Sequence, residues 1–286
     1  MTNSKNIAFE PLVELNFDLA ECPRWDWRGQ FWMWVNICEG ELWRMQGDNA
    51  ECIELGEPIG CFALHGKSGY ILGLKSGIYH LESWESFPTL VSPLISEFPR
   101  MRHNDGRVAP GGRFIVGTRN GAKEGDKGQF YQLHDDGSTD SLPFYAWTCN
   151  GLAFSNDGQW LYWADTGSSK IYKHSYDSIS GVCGPQQLFC DLEGFEGRPD
   201  GASIDAEGNY WVAMYAGRSI IKISPDGEVL NLIPVEVENP TMVGFGGKGL
   251  TDLVLTSAKS EDSKGKVLIA KHVVRAYKEP LSTYKV

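Results

Sequence analysis

A glycine-containing turn followed by a short apolar strand recurs six times in this chain, and no other feature limits its possible folds so tightly. The copies span residues 26–34, 65–73, 109–117, 155–163, 205–213 and, more weakly, 246–254. Their turn glycines are Gly29, Gly69, Gly112, Gly158, Gly208 and Gly249, and the spacings of 40, 43, 46, 50 and 41 residues fit one four-stranded propeller blade per repeat. A second element follows each copy, at 41–44, 77–80, 129–132, 170–173, 219–222 and 266–269, with the period-2 alternation of half-buried strands. No segment sustains an apolar period of 3.6 residues. These observations predict an all-β chain: a six-bladed β-propeller with four-stranded blades, residues 1–286 forming a single domain. The segment near 11–16 (Leu12-Val-Glu-Leu) is expected to pair into the last blade and remove the open edges of the ring. The two longest intervals point to larger loops around 120–128 and 178–198.

Composition agrees and narrows the partners. The 33 Gly and 14 Pro are scattered rather than pooled in a linker, as many short strands joined by tight turns require. Ten Trp in a chain that is 12% aromatic supply a large core. A net charge of −11 argues against nucleic acid and anionic membranes, which select clustered Lys and Arg. The longest apolar runs, such as Phe31–Ile37, fall far short of the roughly 20 residues a membrane helix needs. Seven cysteines form no C-x-x-C pair, and the N-terminus has no secretory pattern, so the expected compartment is the reducing cytoplasm. A monomer or small homo-oligomer is expected.

The repeat also identifies candidate functional residues. Eight positions before each turn glycine stand Glu21, Cys61, Asn104, Asn150, Asp200 and Thr241. Superposed blades surround one axis, so equivalent positions form a ring, and four of these six carry a carboxylate or carboxamide. Asn-Gly and Asp-Gly are ordinary turn dipeptides, but an ordinary turn does not need a polar residue at the same offset in successive blades. An all-oxygen ring suits one hard divalent cation, Ca²⁺, Mg²⁺ or Mn²⁺, at the centre.

Five stretches then carry a family resemblance: residues 20–25 (AECPRW), 102–118 (RHNDGRVAPGGRFIVGT), 150–158 (NGLAFSNDG), 198–201 (RPDG) and 239–247 (NPTMVGFGG). The chain resembles the senescence-marker-protein/gluconolactonase family, which includes regucalcin, sugar lactonases and luciferin-regenerating enzymes. The resemblance implies a six-bladed propeller with one central divalent ion (Ca²⁺, Zn²⁺, Mn²⁺ or Mg²⁺), with Glu21, Asn150 and Asp200 as its protein ligands. It also implies substrate binding by Arg102 and Asn104, and a general-base role for Asp200. Three departures stand out: His103 replaces an aromatic or aliphatic residue, Asn36 replaces an aspartate, and a substrate-binding acid is missing near Ala122, where Glu124 is the nearest substitute.

The expected function is metal-dependent hydrolysis of a small sugar (aldono-) lactone to its aldonic acid. Two alternatives stay open: a hydrolase of other esters or organophosphates on the same metal site, and a non-catalytic metal-binding propeller. No Gly-x-Ser-x-Gly elbow and no zincin histidine spacing is present. Of the histidines only His103 adjoins the ring, and Cys61 and Cys149 flank it as small buried residues rather than nucleophiles.

Overall fold

The computed structural model describes residues 6–94 and 100–285. Among them, twenty-four strands form six four-stranded antiparallel sheets, and no helix occurs. Five sheets are meanders in sequence order, running 20–54, 59–93, 101–146, 149–191 and 198–234 from the innermost strand outward. The sixth combines Asn239–Gly246, Asp252–Ala258 and Val267–Ala270 with Glu10–Pro11 from the N-terminus. This is a six-bladed β-propeller with four-stranded blades.

Burial falls off from the axis outward, and the sequence follows it. Ile59–His65 and Gly69–Leu74, the two inner strands of the second blade, are buried along their whole length. Such strands face another layer on both sides, so they read as continuous apolar runs instead of alternating ones. Outer strands such as Asn49–Glu54 alternate between partial burial and exposure. Large rings fill the spaces between blades. Trp34 stacks on Trp43 at 6.1 Å between centroids, and Phe17 meets both edge-on at 5.9 and 5.6 Å. Phe144 stacks on Trp163 at 5.6 Å and on His174 at 4.3 Å, which gives that histidine a packing role.

The ring closes on the N-terminal segment, where Glu10 and Pro11 pair with Ile269 and Leu268, and the Leu12 amide donates to the Val267 carbonyl at 2.9 Å. Leu12, Val13 and Leu15 themselves pack apolar side chains against the Trp34 cluster and do not extend the ladder. The 178–198 interval is only partly loop, because Gln187–Asp191 forms the outer strand of the fourth blade, with Phe189 and Cys190 buried. Its extra length lies before that strand, folded on Asp177, whose carboxylate accepts from the amides of Ile179 and Ser180.

The C-terminal residues form a strap across one face of the propeller. Ala206 donates to the Arg275 carbonyl at 2.7 Å, and Ala276 donates to the Leu250 carbonyl at 3.0 Å. Further on, the amides of Ser282 and Thr283 donate to the carbonyls of Leu64 and Gly112, both at 2.9 Å. The strap therefore ties the fifth and sixth blades to the second and third. Glu279 lies between those two anchorages, at the axis.

Candidate functional site

All six innermost strands break their ladder at the same level. Glu21 pairs with Val35 but Arg24 with Met33, and the same extra residue falls between His103 and Gly106, Asn150 and Ala153, and Pro199 and Ala202. Equivalent bulges occur between Ile59 and Cys61 and between Pro240 and Met242. A bulge adds a residue, bends its strand and re-aims the side chains beside it. Here it brings the residues at the ring position to the axis. Two bulges need a left-handed residue: Cys22, at φ 50°, and Gly151, at φ 61°. A Cβ on Gly151 would stand 2.3 Å from the Tyr210 hydroxyl, which donates to the Gly151 carbonyl at 2.6 Å, so only glycine fits there.

Arg102, Asn104, Asn150 and Asp200 form one directed hydrogen-bond chain. Arg102 Nη1 donates to Asn104 Oδ1 at 2.8 Å, and Asn104 Nδ2 to Asn150 Oδ1 at 2.5 Å. Asn150 Nδ2 then donates to Asp200 Oδ1 at 2.6 Å, so the chain runs from a cation through two amides to a carboxylate. Thr166, which the sequence reading missed, lies 2.9 Å from Asn150 Nδ2 and donates its hydroxyl to the Pro199 carbonyl. Glu21 accepts from the Cys22 amide at 2.6 Å.

The charges here are poorly compensated. Burial, then repulsion from Asp200 and Asp105, holds the Glu21 carboxyl well above the usual carboxylate range. Burial and Asp105 push Asp200 up to about 8, against the pull of Arg119 and Arg102. Asp105 is raised mainly by burial; its Oδ2 accepts from the Leu152 amide at 2.7 Å, while its Oδ1 has no partner among the described residues. No ion pair reaches Glu21, Asp105 or Asp200 among the described residues. Two carboxylates beside a carboxamide, where negative charge is disfavoured, give the donor chemistry a hard divalent cation selects once Asn150 turns its oxygen toward the acids. No cluster of three or more His, Cys, Asp or Glu suited to a metal occurs among the described residues, so any such site depends on the amides.

Beneath this layer lies a second one that the sequence reading did not assign. Arg24 donates to the Phe62 carbonyl at 2.7 Å and to the Gly106 carbonyl. Arg107 donates to the carbonyls of Leu152 and Ala202, both at 2.8 Å. Glu279 of the strap pairs with both guanidinium groups, through Oε2 with Arg24 and at 2.7 Å through Oε1 with Arg107. Burial raises Glu279, but Arg24 and Arg107 more than reverse this and leave its carboxyl below the ordinary range. These two arginines tie the inner strands of the first five blades together and hold the axial ring in register.

The remaining candidates have structural roles. His103 is buried, with Nδ1 2.8 Å from the Leu74 carbonyl, and burial brings it down to about 4, so it is a neutral spacer at neutral pH. Burial raises the Cys61 thiol well above its usual value and Cys149 to about 12, which leaves neither ionised as a nucleophile. Ala122 and Glu124 lie on the 121–127 turn, organised by Asn120. Glu124 is exposed and gives only its carbonyl to that turn, so its side chain does not replace the missing acid. Arg119, directly across the ladder from Arg102, acts electrostatically on Asp200, Arg102 and Tyr215.

The inner strands of this six-bladed propeller thus deliver acids and amides to one end of its axis. The chain belongs to the SMP-30/Gluconolactonase/LRE-like family, whose region matches residues 19–259. It is 36% identical over 248 residues to the 6-deoxy-6-sulfogluconolactonase of Pseudomonas putida, covering 86% of this chain and 85% of that protein. It is 30% identical over 261 residues to the regucalcin of Xenopus laevis, covering 88% and 87%. Among solved structures it is similar to a calcium-binding protein, regucalcin, from Agrobacterium tumefaciens str. C58, with a TM-score of 0.93, 26% identity and coverage of 98% and 99%. Among the described residues no helix is long and apolar enough to cross a membrane.

Proposed function

We propose that this protein is a lactonase that opens a small sugar lactone to its aldonic acid with the help of one divalent cation held by Glu21, Asn150 and Asp200. The observation that carries the reading is the pair of crowded axial acids, Glu21 and Asp200, bridged to the substrate-side Arg102 through Asn150 and Asn104. Family membership and a relative named for lactone hydrolysis support the reaction class. A bound divalent cation would supply a Lewis acid for the ester carbonyl and lower the pKa of water beside it. The carboxamides of Asn104 and Asn150 present oxygen or N–H according to rotamer, so Asn150 can turn its oxygen to the cation.

Asp200 serves as general base. Burial and Asp105 keep a proton on it up to about pH 8, so positive charge nearby is needed before it can act at neutral pH. Asp200 takes a proton from the attacking water as the water oxygen bonds to the lactone carbonyl carbon. The acyl C–O bond then breaks, and the same proton passes to the ring oxygen as it leaves as an alcohol. Arg102 and Asn104 orient the carbonyl or the sugar hydroxyls. His103 is excluded from proton transfer by its burial and its bond to Leu74. The free cysteines, with no disulfide among them, suit the cytoplasm as the place of action.

The test is proton release from a panel of aldonolactones, corrected for spontaneous opening, using protein stripped of metal and then reloaded. The reading expects loss of turnover on stripping and recovery with a divalent ion. Full turnover by verified metal-free protein contradicts it.

A further inference from the structure

The two arginines at the open end of the axis form no ion pair among the described residues; the acids that act on them are the axial ones, Glu21 on Arg102 and Asp200 on both. Arg102 and Arg119 face each other across the ladder of the third blade, at the strand ends nearest the acidic ring. Arg102 donates to the His103 carbonyl and to Asn104 Oδ1, and the Arg119 side chain makes no hydrogen bond or ion pair among the described residues. The carboxylates on the adjoining turn, Glu124 and Asp126, are exposed, and only their carbonyls are engaged, by Asn120. Directly opposed residues of an antiparallel pair share a sheet face, so the Arg119 side chain rises on the same face as Arg102, whose guanidinium reaches Asn104 of the axial ring.

In the lower layer, Arg24 and Arg107 are balanced by Glu279 and Asp105. In the upper layer, the divalent cation of the lactonase reading would balance Glu21 and Asp200. Two positive charges then remain at the mouth of a chain whose net charge is −11. Half-buried guanidinium groups without an ion-pair partner select an anion, and a planar fork matches the oxygens of a tetrahedral oxyanion.

We propose that Arg119 forms a subsite for an anionic group on the lactone, a sulfonate or phosphate carried away from the carbonyl that Arg102 helps to orient. This rests on the lactonase reading above and specifies its substrate class: the substrate is an acidic sugar lactone. Arg119 is a specificity residue that grips the charged end while the carbonyl lies against Asp200.

The experiment compares kcat/KM for glucono-1,5-lactone and for its 6-phospho and 6-deoxy-6-sulfo analogues, with wild type and the R119M and R119K variants. The proposal expects at least one charged lactone to exceed the neutral one by on the order of tenfold or more, the worth of one charge-assisted hydrogen bond. R119M should collapse that ratio, R119K should keep part of it, and the preference should weaken with salt. The phospho and sulfo arms decide between the two oxyanions. A neutral lactone turned over as well as both charged ones, or equal losses on all three in R119M, overturns the proposal. Should no lactone be hydrolysed, the reaction reading fails separately. Calorimetric binding of 6-deoxy-6-sulfogluconate and 6-phosphogluconate against gluconate to the metal-loaded protein then decides the subsite, and equal affinity of all three in wild type and R119M rejects it.

Discussion

Removing the charge on Glu279 should cost this protein more stability than any exposed salt bridge in it. The Glu279→Gln variant keeps the shape of the side chain but leaves Arg24 and Arg107 facing a neutral amide. Arg24 is 1% exposed and Arg107 8%, while the Glu279 side chain is 28% exposed at the end of the channel. Breaking a buried pair by removing one partner costs about 3–5 kcal/mol. Asp105 still faces both arginines, and the partial exposure of Glu279 screens it, so we take the lower end, about 3 kcal/mol. An unfolding entropy of roughly 2.1 cal/mol/K per residue makes this a fall in Tm of about 5 °C for a chain this long. Glu279 lies below its ordinary value of 4.5 in the folded protein. Its stabilisation is therefore complete above that pH and is lost as pH falls through the lower folded-state value. Thermal unfolding at pH 7 and at successively lower pH reads both effects. A Tm within about 1 °C of wild type at pH 7, or a gap that widens with acid, would refute the reasoning.

Arg102→Ala should lower kcat/KM by a factor equivalent to about 2–4 kcal/mol while metal content, read by elemental analysis, stays at the wild-type level. Asp200→Asn keeps an oxygen donor but no base, so turnover should fall by ~100-fold or more even at saturating metal, whereas recovery of near-normal kcat would move the base elsewhere, with Asp105 the first candidate. Because burial holds Asp200 up to about 8 and Glu21 well above the usual carboxylate range, binding of a divalent ion at pH 7 should release protons, seen as a heat that depends on the ionisation enthalpy of the buffer. The same raised carboxyls make the metal-free protein bind more protons folded than unfolded, so its stability should fall as pH rises from about 4 to 8; a flat denaturation midpoint over that window would count against it.

The fold was legible because each blade repeats the same turn and strand at nearly constant spacing, and because burial on both sides makes the inner strands continuously apolar. The upper ring was legible for the same reason: counting back from the turn glycines reached Glu21, Asn104, Asn150 and Asp200 without coordinates. Counting back five residues instead of eight reaches Arg24, Leu64, Arg107, Ala153, Ser203 and Gly244. Two arginines, and a serine that contacts one of them at 3.1 Å, stand in that second ring, so the repeat marks both layers. Glu279 has no such signal, because the strap follows the last repeat and its reach to the axis depends on hydrogen bonds with four blades. The outer strand Gln187–Asp191 escaped because Gln187, Leu188 and Asp191 are exposed and only Phe189 and Cys190 point inward, too short an alternation to separate from loop. Nothing in the repeat singled out Arg119; the ladder that sets it opposite Arg102 was needed.

The central claim is that the axial acids and amides bind one divalent cation that the reaction needs. The most direct measurement is equilibrium titration of metal-stripped protein with Ca²⁺, Mn²⁺, Mg²⁺ and Zn²⁺, in wild type and in Glu21→Gln/Asp200→Asn, with lactone turnover followed in the same samples. The account predicts one tight site per wild-type chain, turnover rising in proportion to its occupancy, and loss of both in a variant that remains folded by circular dichroism. Saturable binding that persists unchanged in the double variant, or turnover independent of occupancy, would contradict it.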